Sequence, residues 1–194
     1  TDLPVGLTAR PVRFLDGDPV PVPDPADEAA ALAIVRACES EVLGEIDSTA
    51  DEVAEMFLGP VIDREATVLV HDGDTLAGFA WIENDPTAGE SWVDVYVDPP
   101  RDDLAAALIA HGKAAATAHR AAVPEIAEWH LRSGCFATDD ALVRAFEAAG
   151  FERVRRFWRM RIELAGADLA AAAAPLPAGV EIVSAYAEPL RRSA

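Results

Sequence analysis

Three β-like runs separated by tight turns, the last running straight into a helix, limit what this chain can fold into more than any other stretch. Residues 66–71, 75–83 and 92–97 are rich in β-branched and aromatic side chains. Asp72-Gly73-Asp74 and residues 84–89 separate them, connections short enough only for antiparallel neighbours. In the third run Asp94 and Tyr96 point to one face, and Val93, Val95 and Val97 to the other. It then passes through Asp98-Pro99-Pro100-Arg101 into a helix predicted from Asp102 to about Arg120. A strand that stops at a proline turn and feeds a helix leaves free backbone N–H groups at the helix start, which suits an anion.

The flanking segments place other elements around this centre. Residues 7–15 alternate loosely and predict a first strand, and residues 16–25, with four prolines, predict a loop. Asp27 and Glu28 suit a helix start, with Leu32, Val35, Cys38 and Val42 on one face and Gly44 at the end. Thr49 is the expected N-cap of a short second helix carrying Val53, Met56 and Phe57, which Gly59-Pro60 stops. After the central helix, residues 126–132 predict a strand reached by a crossover, hence parallel to the one before it. Thr138 is the expected cap of a last helix, with Asp139 and Asp140 in its first turn and Gly150 at its end. Residues 151–164 read as a long strand or hairpin. Val154, Trp158, Met160, Ile162 and Leu164 share one face, and Arg153, Arg155, Arg159 and Arg161 the other. The expected class is therefore α/β (α+β), with one mixed, mostly antiparallel central sheet flanked by helices.

Residues 165–179 form an alanine- and proline-rich linker. Leu176-Pro177-Ala178-Gly179-Val180 echoes Leu3-Pro4-Val5-Gly6-Leu7, and each precedes a β-like run. The organisation expected is one domain over 1–164, a linker over 165–179, and over 180–194 the start of a second, similar domain.

A formal net charge of −18 argues against nucleic acid or an anionic membrane as the main partner. No apolar run approaches the ~20 residues of a membrane span. Two distant cysteines, Cys38 and Cys135, fit a reducing, cytoplasmic setting better than a disulfide framework. His71, His111, His119 and His130 show no metal-ligand spacing, so no metal is expected. No P-loop or nucleophile-elbow motif is present.

Asp74-Thr75-Leu76-Ala77-Gly78-Phe79 resembles the D-x-x-x-G-F strand of the GCN5-related N-acetyltransferase (GNAT) superfamily. Val95-Tyr96-Val97-Asp98-Pro99 resembles the end of that superfamily's central strand, and residues 139–151 its last helix, which runs to a Gly-Phe pair. With the linker and echo, the chain resembles the first half of tandem acetyltransferases such as mycothiol synthase. The resemblance implies acetyl-CoA bound at the strand–helix junction, through backbone groups of Val95 and Val97 with Arg101 and the helix start at Leu104. It implies transfer to a small-molecule amine. The candidates for the base that deprotonates the amine are Asp94, Tyr96 and Glu83.

The chain departs from the family pattern in two places. Where the family has a glycine-rich phosphate cradle, this chain has Pro100-Arg101-Asp102-Asp103-Leu104-Ala105-Ala106. The aspartates either repel a pyrophosphate or simply complement the helix start, and Arg101 pairs with a phosphate, with Asp98 or with Asp103. Phe146 stands where many members carry a proton-donating tyrosine. Two readings follow: an acetyl-CoA-dependent N-acetyltransferase with a degenerate cofactor site in this half, or a catalytically silent module that scaffolds or regulates an active C-terminal domain. The arginine stripe is either a solvated face or a dock for an acidic surface, such as a second domain or a second subunit.

Overall fold

The computed structural model describes residues 3–17, 21–98, 100–158 and 175–180. The chain divides into two units, Thr1–Arg153 and Val154–Ala194. The first holds every assigned helix and strand: β1 (Leu7–Pro11), β2 (Phe14–Leu15), β3 (Val22–Pro23), α1 (Pro25–Leu43), α2 (Ala50–Met56), β4 (Val68–Asp72), β5 (Thr75–Asp85), β6 (Glu90–Val97), α3 (Asp102–Ala122), β7 (His130–Arg132) and α4 (Asp140–Ala148).

The meander expected from the short turns is present. β4, β5 and β6 pair antiparallel in sequence, inside a five-stranded sheet of order β1-β4-β5-β6-β7. Gly73 takes φ +60° in the β4–β5 hairpin, which a tight two-residue turn requires. β7 joins β6 in parallel, as a strand reached through a helix should.

Strand alternation divides the core into two layers. Val68, Val70, Ala80, Ile82, Val93 and Val95 face α3 and α4 and meet Leu104, Leu108, Ile109 and Phe146. On the opposite face Leu69 and Phe79 meet Ile34 and Val35 of α1, Val53 of α2 and Phe57 at its end. α3 lies so close to β6 that a Cβ on Gly112 would sit 2.5 and 2.7 Å from the two methyls of Val93.

The structure corrects several expected boundaries. The first run is two strands: Pro11 has no N–H for a ladder, Val12 bonds to Thr67 O, and Phe14–Leu15 pair instead with Val22–Pro23. The proline-rich segment is thus not all loop. α1 begins earlier, at Pro25, because the Asp24 side chain accepts from Ala26 N at 2.9 Å. Asp27 is more than a first-turn acid. Its buried carboxylate accepts two guanidinium bonds from Arg10, at 2.6 and 2.7 Å, and bonds from Arg13 side chain and main chain. Burial alone would raise its pKa, but the bonds from Arg10 and Arg13 outweigh that and hold it below the ordinary carboxylate range. The cluster fastens β1 to α1. Thr49 caps α2 as expected, in a full capping box with Glu52. α4 is capped by Asp139, whose carboxylate reaches Leu142 N at 2.9 Å, not by Thr138.

β7 covers only His130–Arg132 of the expected residues 126–132. The expected strand at 151–164 is absent over 151–158. Phe151 packs edge-on against Phe146, and Arg155 and Arg156 stack over Phe157 and Trp158 rather than on an opposite face. Residues 159–164, and most of the expected linker and second-domain start, lie outside the described residues.

Candidate active site

Backbone pairing builds an opening beside the central strand. β7 pairs with β6 only from Glu90 to Trp92, so the two strands part beyond Trp92. The bond from Asp98 N to Ala77 O sets the alternation along β6. With Gly78↔Val97 and Ala80↔Val95 in register, Tyr96 and Asp94 bond toward β5 while the main chain of Val93, Val95 and Val97 turns the other way, into the splay. Val97 O is already engaged there, accepting the Cys38 thiol of α1 at 3.5 Å. Burial pushes that thiol up to about 12, which keeps it a donor.

Asp94 and Tyr96 project to the α1–α2 face, opposite Trp81 and Phe79 of β5. Tyr96 stacks on Phe79 at 5.7 Å between centroids. Burial, then the negative charge of Asp94, drives its phenol far above the usual range. It is a neutral donor, not a base. Half-buried Asp94 accepts the Trp92 indole N–H at 2.8 Å and Gly134 N at 3.4 Å on the same oxygen. Burial raises its pKa to about 6, against the lowering effect of those two bonds. Glu83, on β5 opposite Trp92, is also raised by burial and by Asp94. Glu83 lies inside β5, which runs on to Asp85 through the start of the expected turn. Sequence reading did not signal the Trp92 and Gly134 bonds, nor the Cys38 bond across 59 positions.

The start of α3 is organised around its own acid. Arg101 occupies the N-cap position without a side-chain cap bond. The Asp103 carboxylate accepts Leu104 N at 2.9 Å and pairs with Arg101 at 3.2 Å. Arg101 also reaches Asp72 at 3.4 Å, a partner the sequence did not suggest, in place of Asp98. The bond from Arg101 leads the causes that hold the Asp103 carboxyl low, so it stays ionised. The Leu104 side chain is buried in the core, where with Leu108 it fills the space above Gly78; a Cβ there would lie 3.1 Å from both. That contact is the physical reason for glycine in the 74–79 motif. Phe146 is buried with them in the α3–α4 layer.

No protein-family model and no curated protein matches the chain. Solved structures do. A GCN5-related N-acetyltransferase from Sphaerobacter thermophilus aligns at 25% identity and TM-score 0.64, over 79% of this chain and 46% of its own. The fold is that of the GCN5-related N-acetyltransferases. The ribosomal-protein-S18-alanine N-acetyltransferase of Escherichia coli shares that GNAT fold at 17% identity and TM-score 0.52, over 77% of this chain and 79% of its own. The chain spans just under half the length of the Sphaerobacter GNAT protein. Among the described residues, no helix is long and apolar enough to cross a membrane.

The GNAT fold implies acetyl-CoA, and the residues fit one end of it. Main-chain groups of Val95 and Val97 turn toward the splay, the side on which an extended thioester arm would pair, with Val97 O already accepting the Cys38 thiol. The phosphate end fits poorly: no glycine lies between Val97 and Leu104, and the Leu104 N–H and the Arg101 guanidinium are both taken by Asp103.

Proposed function

We propose that this chain belongs to an acetyl-CoA-dependent N-acetyltransferase acting on a small amine, with a degenerate phosphate cradle in this domain. The observation that carries it is Asp94. It is a half-buried carboxylate with a pKa of about 6, on the central strand of a GNAT fold, beside the splay onto which Val95 and Val97 open. Acetyl-CoA supplies an activated acetyl group. Asp94, ionised at neutral pH, takes up the proton of the attacking amine. Trp92 and Gly134 hold the carboxylate in place, leaving its other oxygen for the amine. Tyr96 presents a neutral phenol as a hydrogen-bond donor. Phe146 has no proton to give a leaving thiolate, so that proton comes from elsewhere.

A second reading, a catalytically silent module beside an active second domain, draws on Asp103 at the α3 start and on Phe146 in the core. It also draws on a repeated turn. Pro4 O accepts Leu7 N and Pro177 O accepts Val180 N, and Gly6 and Gly179 take φ +91° and +81° at matching places. The echoed pentapeptides thus fold into the same glycine-dependent β-turn. This supports a repeat beginning near Val180 in a tandem protein of the mycothiol synthase kind.

Turnover separates the two readings. The chain is incubated with acetyl-CoA and a panel of primary amines, with free thiol and N-acetyl product followed together. Slow transfer that rises into the millimolar range of acetyl-CoA is expected. No product from any amine leaves the silent-module reading in place for this chain.

A further inference from the structure

The segment after Arg153 differs from the body in both charge and exposure. Thr1–Arg153 carries thirty acidic and ten basic side chains, whereas the remainder carries four acidic and six basic. Within the second unit Val154, Phe157 and Trp158 are 83%, 78% and 76% exposed. Arg155 lies 5.7 Å from the Phe157 ring centroid and Arg156 5.3 Å from that of Trp158. Single exposed apolar residues are ordinary, but two arginine-backed aromatics and a valine within five positions concentrate apolar and cationic surface on one short segment. Arg and Trp are also the side chains that dominate binding energy at protein interfaces.

The body carries a surface of matching character. From Ala37 to Asp63 the chain has eight acidic residues and no lysine or arginine. Glu39 is buried against Ser48 and Glu52 is held in the α2 capping box. Glu41, Asp51 and Glu55, near the passage from α1 to α2, are exposed, and on the same stretch Ile46 and Leu58 stand 59% and 44% exposed. Acid flanking solvent-facing aliphatic side chains complements arginine flanking solvent-facing aromatics.

We propose that the Val154–Trp158 strip of one copy of this chain docks on the acidic α1–α2 corner of a second copy. A single-stranded nucleic acid also suits arginine with aromatics, but the strongly acidic body would repel it. The complement on the chain itself favours self-association.

Sedimentation of the 194-residue chain at low and high salt tests this. A concentration-dependent dimer is expected at low salt, with Kd rising about tenfold or more on moving to ~0.5 M salt, since the contact is charge-steered and partly exposed. Arg155→Glu with Arg156→Glu should abolish the dimer, as should Glu41→Arg with Glu55→Arg, each with an unchanged melting temperature. All four changes in one chain should restore it by reversing both charges. A monomer at every concentration, a dimer insensitive to these pairs, or an RNA oligonucleotide retained by the wild type and lost by Arg155→Glu/Arg156→Glu would overturn the proposal.

Discussion

Asp94→Asn is expected to lower kcat/KM for acetyl transfer by about 10²–10⁴-fold while leaving the melting temperature nearly unchanged. The amide keeps the shape of the side chain and the oxygen that accepts the Trp92 indole N–H. What it loses is the capacity to take a proton. In the wild type, kcat/KM should fall tenfold per pH unit below about 6. A base works only when ionised, and burial sets its pKa near that value against the bonds from Trp92 and Gly134. The asparagine variant should lose this acid limb. A variant that keeps wild-type kcat/KM and its acid limb would remove Asp94 from the chemistry and return it to the role of a hydrogen-bonded strand residue.

Gly112→Ala should destabilise the fold by about 1–3 kcal/mol, lowering the melting temperature by about 2–10 °C in a domain of this size. Helix propensity alone argues the other way, since alanine exceeds glycine by about 1 kcal/mol in a helix interior. Packing decides the sign. The added methyl would stand 2.5 and 2.7 Å from the Val93 methyls, and Val93 is fully buried between α3 and the sheet. A branched side chain in a filled core has no free rotamer to retreat to. Combining the change with Val93→Ala should recover about 1 kcal/mol or more relative to the sum of the single variants. A stabilised Gly112→Ala protein would contradict this close packing of α3 on β6.

The sheet and its order were legible because the evidence for them was local. Turns at 72–74 and 84–89, period-two alternation and a crossover helix each dictate pairing without reference to distant residues. The splay was not legible, since a parallel strand after α3 fixes the pairing direction and not where β6 and β7 part. Failures came where a local pattern met a distant partner. Asp27 reads as a helix-start acid until Arg10 and Arg13 arrive from β1 and the loop after it. An isolated glycine in a helical pattern, Gly112, signals close approach, but the sequence does not say of what. In the site, the face shared by Asp94 and Tyr96 followed from alternation. The indole that holds Asp94, the thiol on Val97 O and the pairing of Arg101 with Asp72 did not, because each joins elements whose contact only the fold creates. Residues 151–158 failed differently. Alternation predicts a strand only where a partner strand is available, and there the arginines stack on their own neighbours' rings.

The account turns on Asp103, an internal anion at the place where the GNAT fold would bring a pyrophosphate. Calorimetric titration of the wild type and Asp103→Asn with acetyl-CoA, and with S-acetylpantetheine, which lacks the pyrophosphate, tests it directly. Removing the negative charge should tighten acetyl-CoA about tenfold by lifting like-charge repulsion and releasing Arg101 from its ion pair. Binding of S-acetylpantetheine should stay the same. Tight wild-type binding of acetyl-CoA that Asp103→Asn leaves unchanged or weakens would contradict the account.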